Sequence, residues 1–339
     1  MSGVDRGRAG GDLHVVLGAS GGVGRAVVAE LVRRGHRVRA VHRTAGRART
    51  DGVELGGAPR VESLAADVAT PDGARAACAG AAVVHHCAQP AYHRWAREFP
   101  AMNEAVIGGA AAAGAKLVFA DNLYSYAPPT AVLTEAAPER PTSRKGEVRR
   151  ALADRLLAAH RAGTVRVAIG RSADYYGPGV TASTTGEVLF GAAVAGRTVR
   201  WPGRIDVPRT LHHVEDVARA LLTLAGDDRA DGRAWILPCA PPLTPRELAR
   251  RVGVAAGRPV RITGTPRAAV ALLGLVHRAA GELPDIWYQF DRPWVASDNR
   301  FQETFGPAPA TPYDRGIADT VAWYRQRAGR DAAATRRSA

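Results

Sequence analysis

The stretch Leu13-His-Val-Val-Leu-Gly-Ala-Ser-Gly-Gly-Val-Gly24 decides the fold. Leu13 to Leu17 is an apolar run of strand length. Gly18, Gly21 and Gly24 follow at Gly-x-x-Gly-x-x-Gly spacing. Val23, Val27 and Leu31 then recur at helical intervals, Gly35 closes that helix, and Val38 to Val41 begins a second strand. Glycines in such a turn let the backbone approach a pyrophosphate, whose charge rests on the N-terminus of the next helix. A strand, a glycine turn, a helix and a second strand in this order predict a dinucleotide site. Its candidate contacts are Gly18, Ser20, Gly21, Gly22, Val23 and Gly24.

The second strand ends in His42-Arg43. A free ribose 2′-hydroxyl usually meets an Asp or Glu there, whereas a 2′-phosphate calls for Arg. No acid stands at 40–46, and Arg43 and Arg47 do. The pattern therefore favours NADP(H) over NAD(H).

Further along, Val61 to Leu64 reads as a third strand and Pro71 to Ala79 as a short helix. Ala82 to Cys87 is a fourth strand, and Asn103 to Ala113 an Ala-rich helix. Lys116 to Ala120 is a fifth strand, followed by Asp121-Asn-Leu-Tyr-Ser-Tyr126. Gly146 to Ala162 is amphipathic, with Val148, Leu152, Leu156 and Ala159 on one face, and Val165 to Ile169 is a sixth strand. Such alternation implies an α/β, doubly wound parallel sheet.

After Tyr175-Tyr-Gly-Pro-Gly179 the alternation loosens. Thr210 to Val214 and Trp235 to Leu237 read as strands around a helix from Glu215 to Leu224. Thr244 starts a helix through Ala256, with Glu247 completing a capping box. Residues 268–280 and 315–327 are also helical. Residues 13–175, with a return segment at about 210–237, form the expected dinucleotide-binding domain. Residues 176–209 and 238–327 form a smaller, mostly C-terminal α/β substrate lobe over the carboxyl ends of the strands. Residues 1–12 and 328–339 read as disordered tails.

The formal charge is +14, but Lys116 and Lys145 are the only lysines, so the positive charge is nearly all Arg and is spread along the chain. No basic run is interleaved with aromatics, so no nucleic-acid partner is expected. The three cysteines, Cys78, Cys87 and Cys239, form no framework and suit a reducing cytoplasm. There is no apolar run long enough for a membrane span, and no membrane partner is expected. Neither His85-His86 nor His212-His213 has partners at ligand spacing, and no metal is expected.

Taken together, several stretches resemble the extended short-chain dehydrogenase/reductases, the NAD-dependent epimerase/dehydratase group. They are Gly18 to Gly24, Ala66-Asp67-Val68, Val83 to Ala88, Asn103 in its helix, Tyr175 to Gly179, and His212-His-Val-Glu-Asp-Val-Ala218. The resemblance runs from about 13 to 327 and implies a Rossmann-like fold. It places Asp67 and Val68 at the adenine end, and Cys87, Ala88 and Gln89 along the cofactor. Asp216 would pack the second half onto the sheet. It further implies a small-molecule substrate, and a homodimer formed through the helices at 103–113 and 146–162.

The proton-transfer positions depart from this group, which carries a Ser or Thr after the fifth strand and Tyr-x-x-x-Lys on the next helix. No Tyr-x-x-x-Lys occurs in the chain. The Ser/Thr position falls on Asn122, and the Tyr and Lys positions fall near Gly146 and Arg150. Arg150 would bind ribose or phosphate oxygens, but a guanidinium stays charged and cannot act as a tunable ammonium. The catalytic candidates are therefore Asn122 as an amide donor, Tyr124 or Tyr126 as a proton donor, Lys145 just before the helix, and Asp121 as a base or a turn cap. Tyr175 and Tyr176 are candidate substrate contacts.

Three functions fit. The first is an NADPH-dependent reductase of a small organic, conjugated, secondary-metabolite-like substrate, which needs the missing Tyr least. The second is a redox-neutral isomerase, epimerase, dehydratase or cyclase using bound NADP(H). The third is a non-catalytic NADP-sensing protein.

Overall fold

The computed structural model describes residues 12–43, 49–50, 53–54, 61–276 and 278–338. Arg47 and most of the N-terminal tail lie outside these residues. Six parallel strands form first: β1 (Leu13–Leu17), β2 (Arg37–His42), β3 (Val61–Ala65), β4 (Val83–His86), β5 (Lys116–Asn122) and β6 (Val167–Ser172). A seventh, β7 (Arg233–Ile236), returns from the second half of the chain. Their order across the sheet is β3-β2-β1-β4-β5-β6-β7, every pairing parallel. The chain reverses its direction of build between β1 and β4, and a ligand crevice belongs at the carboxyl ends there.

Strand side chains alternate between two buried faces, as parallel sheets require. Val15, Leu17, Val84, Phe119 and Ile169 join one core. That core also takes residues from α2 (Pro71–Cys78), α3 (Trp95–Ala112) and α4 (Arg144–Arg161). Val16, Ala40, Val118 and Ala168 join the opposite core, with α1 (Gly22–Arg33) and α5 (Val214–Gly226).

Two glycines of the opening stretch are sterically required. Gly18 has φ +77°, and a Cβ there would lie 2.7 Å from the Ala88 Cα. A Cβ on Gly24 would lie 2.2 Å from the Gly18 carbonyl oxygen, so only glycine lets α1 pack this tightly on β1.

Helix starts follow local chemistry. Thr70 and Ser143 accept from the N–H groups of Gly73 and Gly146, capping α2 and α4. Thr244 accepts from Glu247 N–H at the start of α6 (Pro245–Ala255). The Glu247 carboxylate turns to Arg250 and Arg251, so only one arm of the expected capping box is present. Helix α3 begins at Trp95 rather than at Asn103, with Pro100 inside it.

The second half adds two-stranded parallel ribbons, Val199–Pro202 with Ile262–Thr265 and Asp174–Tyr176 with Leu211–His213. Its core gathers Tyr176, Phe190, Trp201, Leu248, Tyr313 and Tyr324. A short helix, α7 (Arg267–Gly274), follows the Ile262–Thr265 strand. The last helix, α8, runs from Tyr313 to Ser338. It continues through 328–338, where a disordered tail is expected; Ala and Arg in this stretch are good helix formers. No helix among the described residues is long and apolar enough to cross a membrane.

Candidate active site

A cleft of about 460 Å³ opens at the carboxyl ends of β1, β4, β5 and β6. One wall is the glycine turn, with Ser20, Gly21, Gly22, Val23 and Gly24 all lining it. Gly21 is the N-cap of α1, no side chain caps that end, and its first turn carries no acid. Uncapped N–H groups at a helix N-terminus attract an anion. Arg25, also on the cleft, adds a cation to this turn and donates to the Ser20 carbonyl at 3.2 Å. The wall fits a dinucleotide pyrophosphate, because uncapped helix N–H groups and the Arg25 guanidinium meet there, on a turn that the missing Cβ atoms of Gly18 and Gly24 let pack closely.

The opposite wall is α4. Its two residues at the Tyr-x-x-x-Lys spacing that face inward are Lys145 and Arg149, one position before Gly146 and Arg150. Arg149 is buried, lines the cleft and lies over Trp95 at 4.1 Å. Its Nη1 donates to Asp121 Oδ1 at 3.2 Å and its Nη2 to Gln89 Oε1 at 2.9 Å. Its Nε is buried without a hydrogen-bond partner. Arg150 instead lies half-exposed against Asp154 and does not line the cleft, whereas Arg149 does.

Asp121, expected as a base or a turn cap, is engaged in ion pairs. It is buried between two guanidiniums, Arg149 and Arg171, each at 3.2 Å, and Arg171 continues to Glu139 at 2.7 Å. Lys145 does not reach the cleft. It is buried, pairs with Glu282 at 2.7 Å, donates to the Tyr92 carbonyl and sits 4.4 Å over the Tyr92 ring.

Asn122 and Tyr124 line the cleft. The Asn122 carbonyl oxygen accepts from Tyr124 N–H at 3.0 Å, which holds the side chain in place. Burial pushes the Tyr124 phenol well up, so it remains a hydrogen-bond donor. Tyr126 is fully buried against Arg171, outside the cleft, and is a core residue. Tyr175 lines the cleft and donates to the Asp121 backbone carbonyl at 3.2 Å, and burial pushes its phenol up to about 12. Tyr176 packs in the second-half core with Phe190, His213 and Tyr313, not in the cleft. On a strand, neighbours face opposite ways, so one tyrosine of the pair had to turn away.

Among the remaining cofactor candidates, Cys87 and Gln89 line the cleft, and the Ala88 backbone backs Gly18. Burial pushes the Cys87 thiol up to about 12, so it is no nucleophile at neutral pH. Asp67 is exposed, one carboxylate oxygen accepting from Ala69 N–H at 3.1 Å, and Val68 is buried beside it. Arg43 is exposed at the end of β2.

The structure adds residues that no local motif marks. Tyr92 and Trp95 come from the turn after β4 and the start of α3. Asp174, Arg209 and Gln289 come from distant segments. Burial raises the Asp174 carboxyl above its ordinary range, against the pull of Arg209 at 3.7 Å. Arg209 is buried between Trp201 and Phe290, with its Nε unpartnered, and the Gln289 amide nitrogen is unpartnered too. Only the tertiary fold brings these together.

The profile of the NAD dependent epimerase/dehydratase family matches residues 14–236. The chain belongs to that family. Its sheet is that of the extended short-chain dehydrogenase/reductases, and it is an NAD(P)-dependent enzyme of that type. No curated protein matches the chain. Among solved structures it is similar to a dTDP-glucose 4,6-dehydratase from Streptomyces venezuelae with NAD and TYD bound (18% identity, TM-score 0.74, covering 94% of this chain and 98% of that one). It is also similar to a UDP-glucuronic acid 4-epimerase from Bacillus cereus in complex with NAD (12%, 0.74, 93% and 99%). A third is MoeE5 in complex with UDP-glucose and NAD (21%, 0.72, 94% and 100%). At these identities the likeness establishes the fold.

Proposed function

We propose that the protein is an NADPH-dependent reductase of a small conjugated carbonyl compound, such as an enone or a quinone. One observation carries this reading: both proton-relay positions on α4 hold cations already committed to carboxylates, Lys145 to Glu282 and Arg149 to Asp121. The glycine turn and Arg25 would hold the pyrophosphate, Arg43 the 2′-phosphate, and the free Nε edge of Arg149 the ribose hydroxyls. Bound NADPH supplies the hydride. Asn122 and Tyr124 would donate hydrogen bonds to the substrate carbonyl oxygen, and Arg149 would stabilise negative charge developing there. A conjugated acceptor spreads that charge, so donors suffice during hydride transfer and the resulting enolate or hydroquinone anion takes its proton from water afterwards, where a simple ketone needs a proton in flight.

A second reading has its own observation. Asp174 is a cleft carboxyl with a raised pKa, suited to taking a proton from a hydroxyl. That favours a redox-neutral epimerase or dehydratase, the activities named for the dTDP-glucose and UDP-glucuronic acid enzymes above. We also propose a homodimer through the outer faces of α3 and α4, which sedimentation tests.

The deciding experiment is NADPH oxidation over a panel of enones, quinones and simple ketones. Oxidation by the conjugated class alone supports the reductase. Conversion of a substrate without net NADPH loss supports the redox-neutral reading. Tight binding with no conversion of any compound overturns the reductase reading.

A further inference from the structure

Helix α7 and the two residues after it carry Leu272, Leu273, Leu275 and Val276 at 69, 53, 80 and 86% exposure. Only Val270 of this helix is buried. A segment apolar on nearly every side belongs in an interior or under a cover, not in water. Its charge environment is one-sided. Residues 252–281 contain Arg258, Arg261, Arg267 and Arg278 and no carboxylate. Among the described residues no carboxylate pairs with Arg258, Arg261 or Arg267: Arg258 donates to the Ala193 and Val194 carbonyls and Arg267 to the Pro284 carbonyl at 3.2 Å, and Arg261 and Arg267 are exposed. The next acids along the chain are spoken for: Glu282 holds Lys145, and Asp285 accepts from the backbone N–H groups of Arg144 and Lys145.

We propose that this face seats on an anionic lipid surface, the leucines entering the headgroup boundary while the arginines meet lipid phosphates. Short apolar segments with basic flanks bind membranes in this way, the basic residues adding attraction to an anionic surface. A second copy of the chain fits less well, since a symmetric contact would set the same acid-free rim against itself. The face also adjoins the cleft. Gly274 of α7 packs on Gly281 of the short helix Arg278–Gly281, and this pair rests on Leu283–Ile286, just before Gln289 and Phe290 of the cleft wall. A lipid-dissolved substrate would thus meet the enzyme beside its site. This revises the expectation of no membrane partner, which rested on the missing span alone.

The test is flotation of the full chain with vesicles of phosphatidylcholine, with and without phosphatidylglycerol. The wild type floats with the anionic vesicles and not with the neutral ones, and about 0.5 M salt weakens it. The doubly substituted L272S/L275S, altered only at exposed positions, loses at least about tenfold in vesicle affinity. R261E/R267E loses the preference for anionic lipid. Failure of the wild type to float overturns the proposal. Unchanged flotation of L272S/L275S overturns it too. A dimer in the wild type that L272S/L275S dissolves, seen by sedimentation, shows that a second copy covers the face and equally overturns it.

Discussion

The wall built by β1 and α1 presents uncapped backbone donors to the cleft, while the wall built by α4 has tied its own charges to carboxylates. In the first, function resides in the backbone: glycines at 18 and 24 and a helix end with no side-chain cap. In the second, Gln89, Arg149, Asp121, Arg171 and Glu139 run in one hydrogen-bonded chain from the cleft wall into the interior. On the proposed reading, the cofactor wall is kept and a charge ladder stands in place of the proton relay. A fixed guanidinium can orient and stabilise charge, but it cannot lend a proton.

The largest break comes from the ladder. Asp121→Ala leaves Arg149 without its carboxylate and Arg171 with Glu139 alone, and we expect a loss of about 4 kcal/mol in urea unfolding. Gly24→Val attacks the other wall, driving a branched side chain into the Gly18 carbonyl. It should cost about 3 kcal/mol and abolish NADPH binding in a fluorescence titration.

Acid sharpens the same contrast. His14, on β1 with its Nδ1 3.1 Å from His85 Nε2, is lowered to about 4, chiefly by burial and then by His36, with Asp12 opposing. His86, behind the α4 wall, is lowered to about 3 by burial and by the charge of Arg149. Both rings stay neutral in the fold while the unfolded chain protonates near 6.5, so acid favours unfolding. Stability is full above about pH 6.5 and falls through the interval below it, by about 2 kcal/mol per ring by about pH 5. Denaturant melts against pH, with His14→Asn flattening the slope, check this.

Smaller effects test individual positions. Arg43→Glu should weaken NADPH about tenfold relative to NADH, read from paired titrations. Arg150→Ala should change stability by less than about 0.5 kcal/mol and leave NADPH affinity as it was, because its partner Asp154 is as exposed as it is.

Much of the fold was legible because its signals are local. The strand, glycine turn and helix at 13–33 read directly, and so did the caps at Thr244 and the periodicity of α4. The site was half legible. Cleft residues Cys87 and Asn122 sit at or just past the end of a recognisable strand run, and Tyr175 opens a recognisable motif. The phase of α4 was not, since Arg149 and Arg150 are adjacent and the preceding loop has no fixed length. One residue is about 100° of helix, enough to exchange a buried cation for an exposed one. Tyr126 and Tyr176 have the right residue type but the wrong side of their segments. Arg209, Gln289 and Asp174 had no motif of their own, because tertiary packing alone gathers them.

The most direct measurement is NADPH binding to the wild type, to Gly24→Val and to Lys145→Met, each monitored by nucleotide fluorescence. We expect saturable binding to the wild type and to Lys145→Met, whose lysine is paired with Glu282 and does not line the cleft, and none to Gly24→Val. A wild type that binds no nicotinamide dinucleotide, or a Lys145→Met variant that loses binding while remaining folded, would contradict the division of the cleft into an intact cofactor wall and a replaced proton relay.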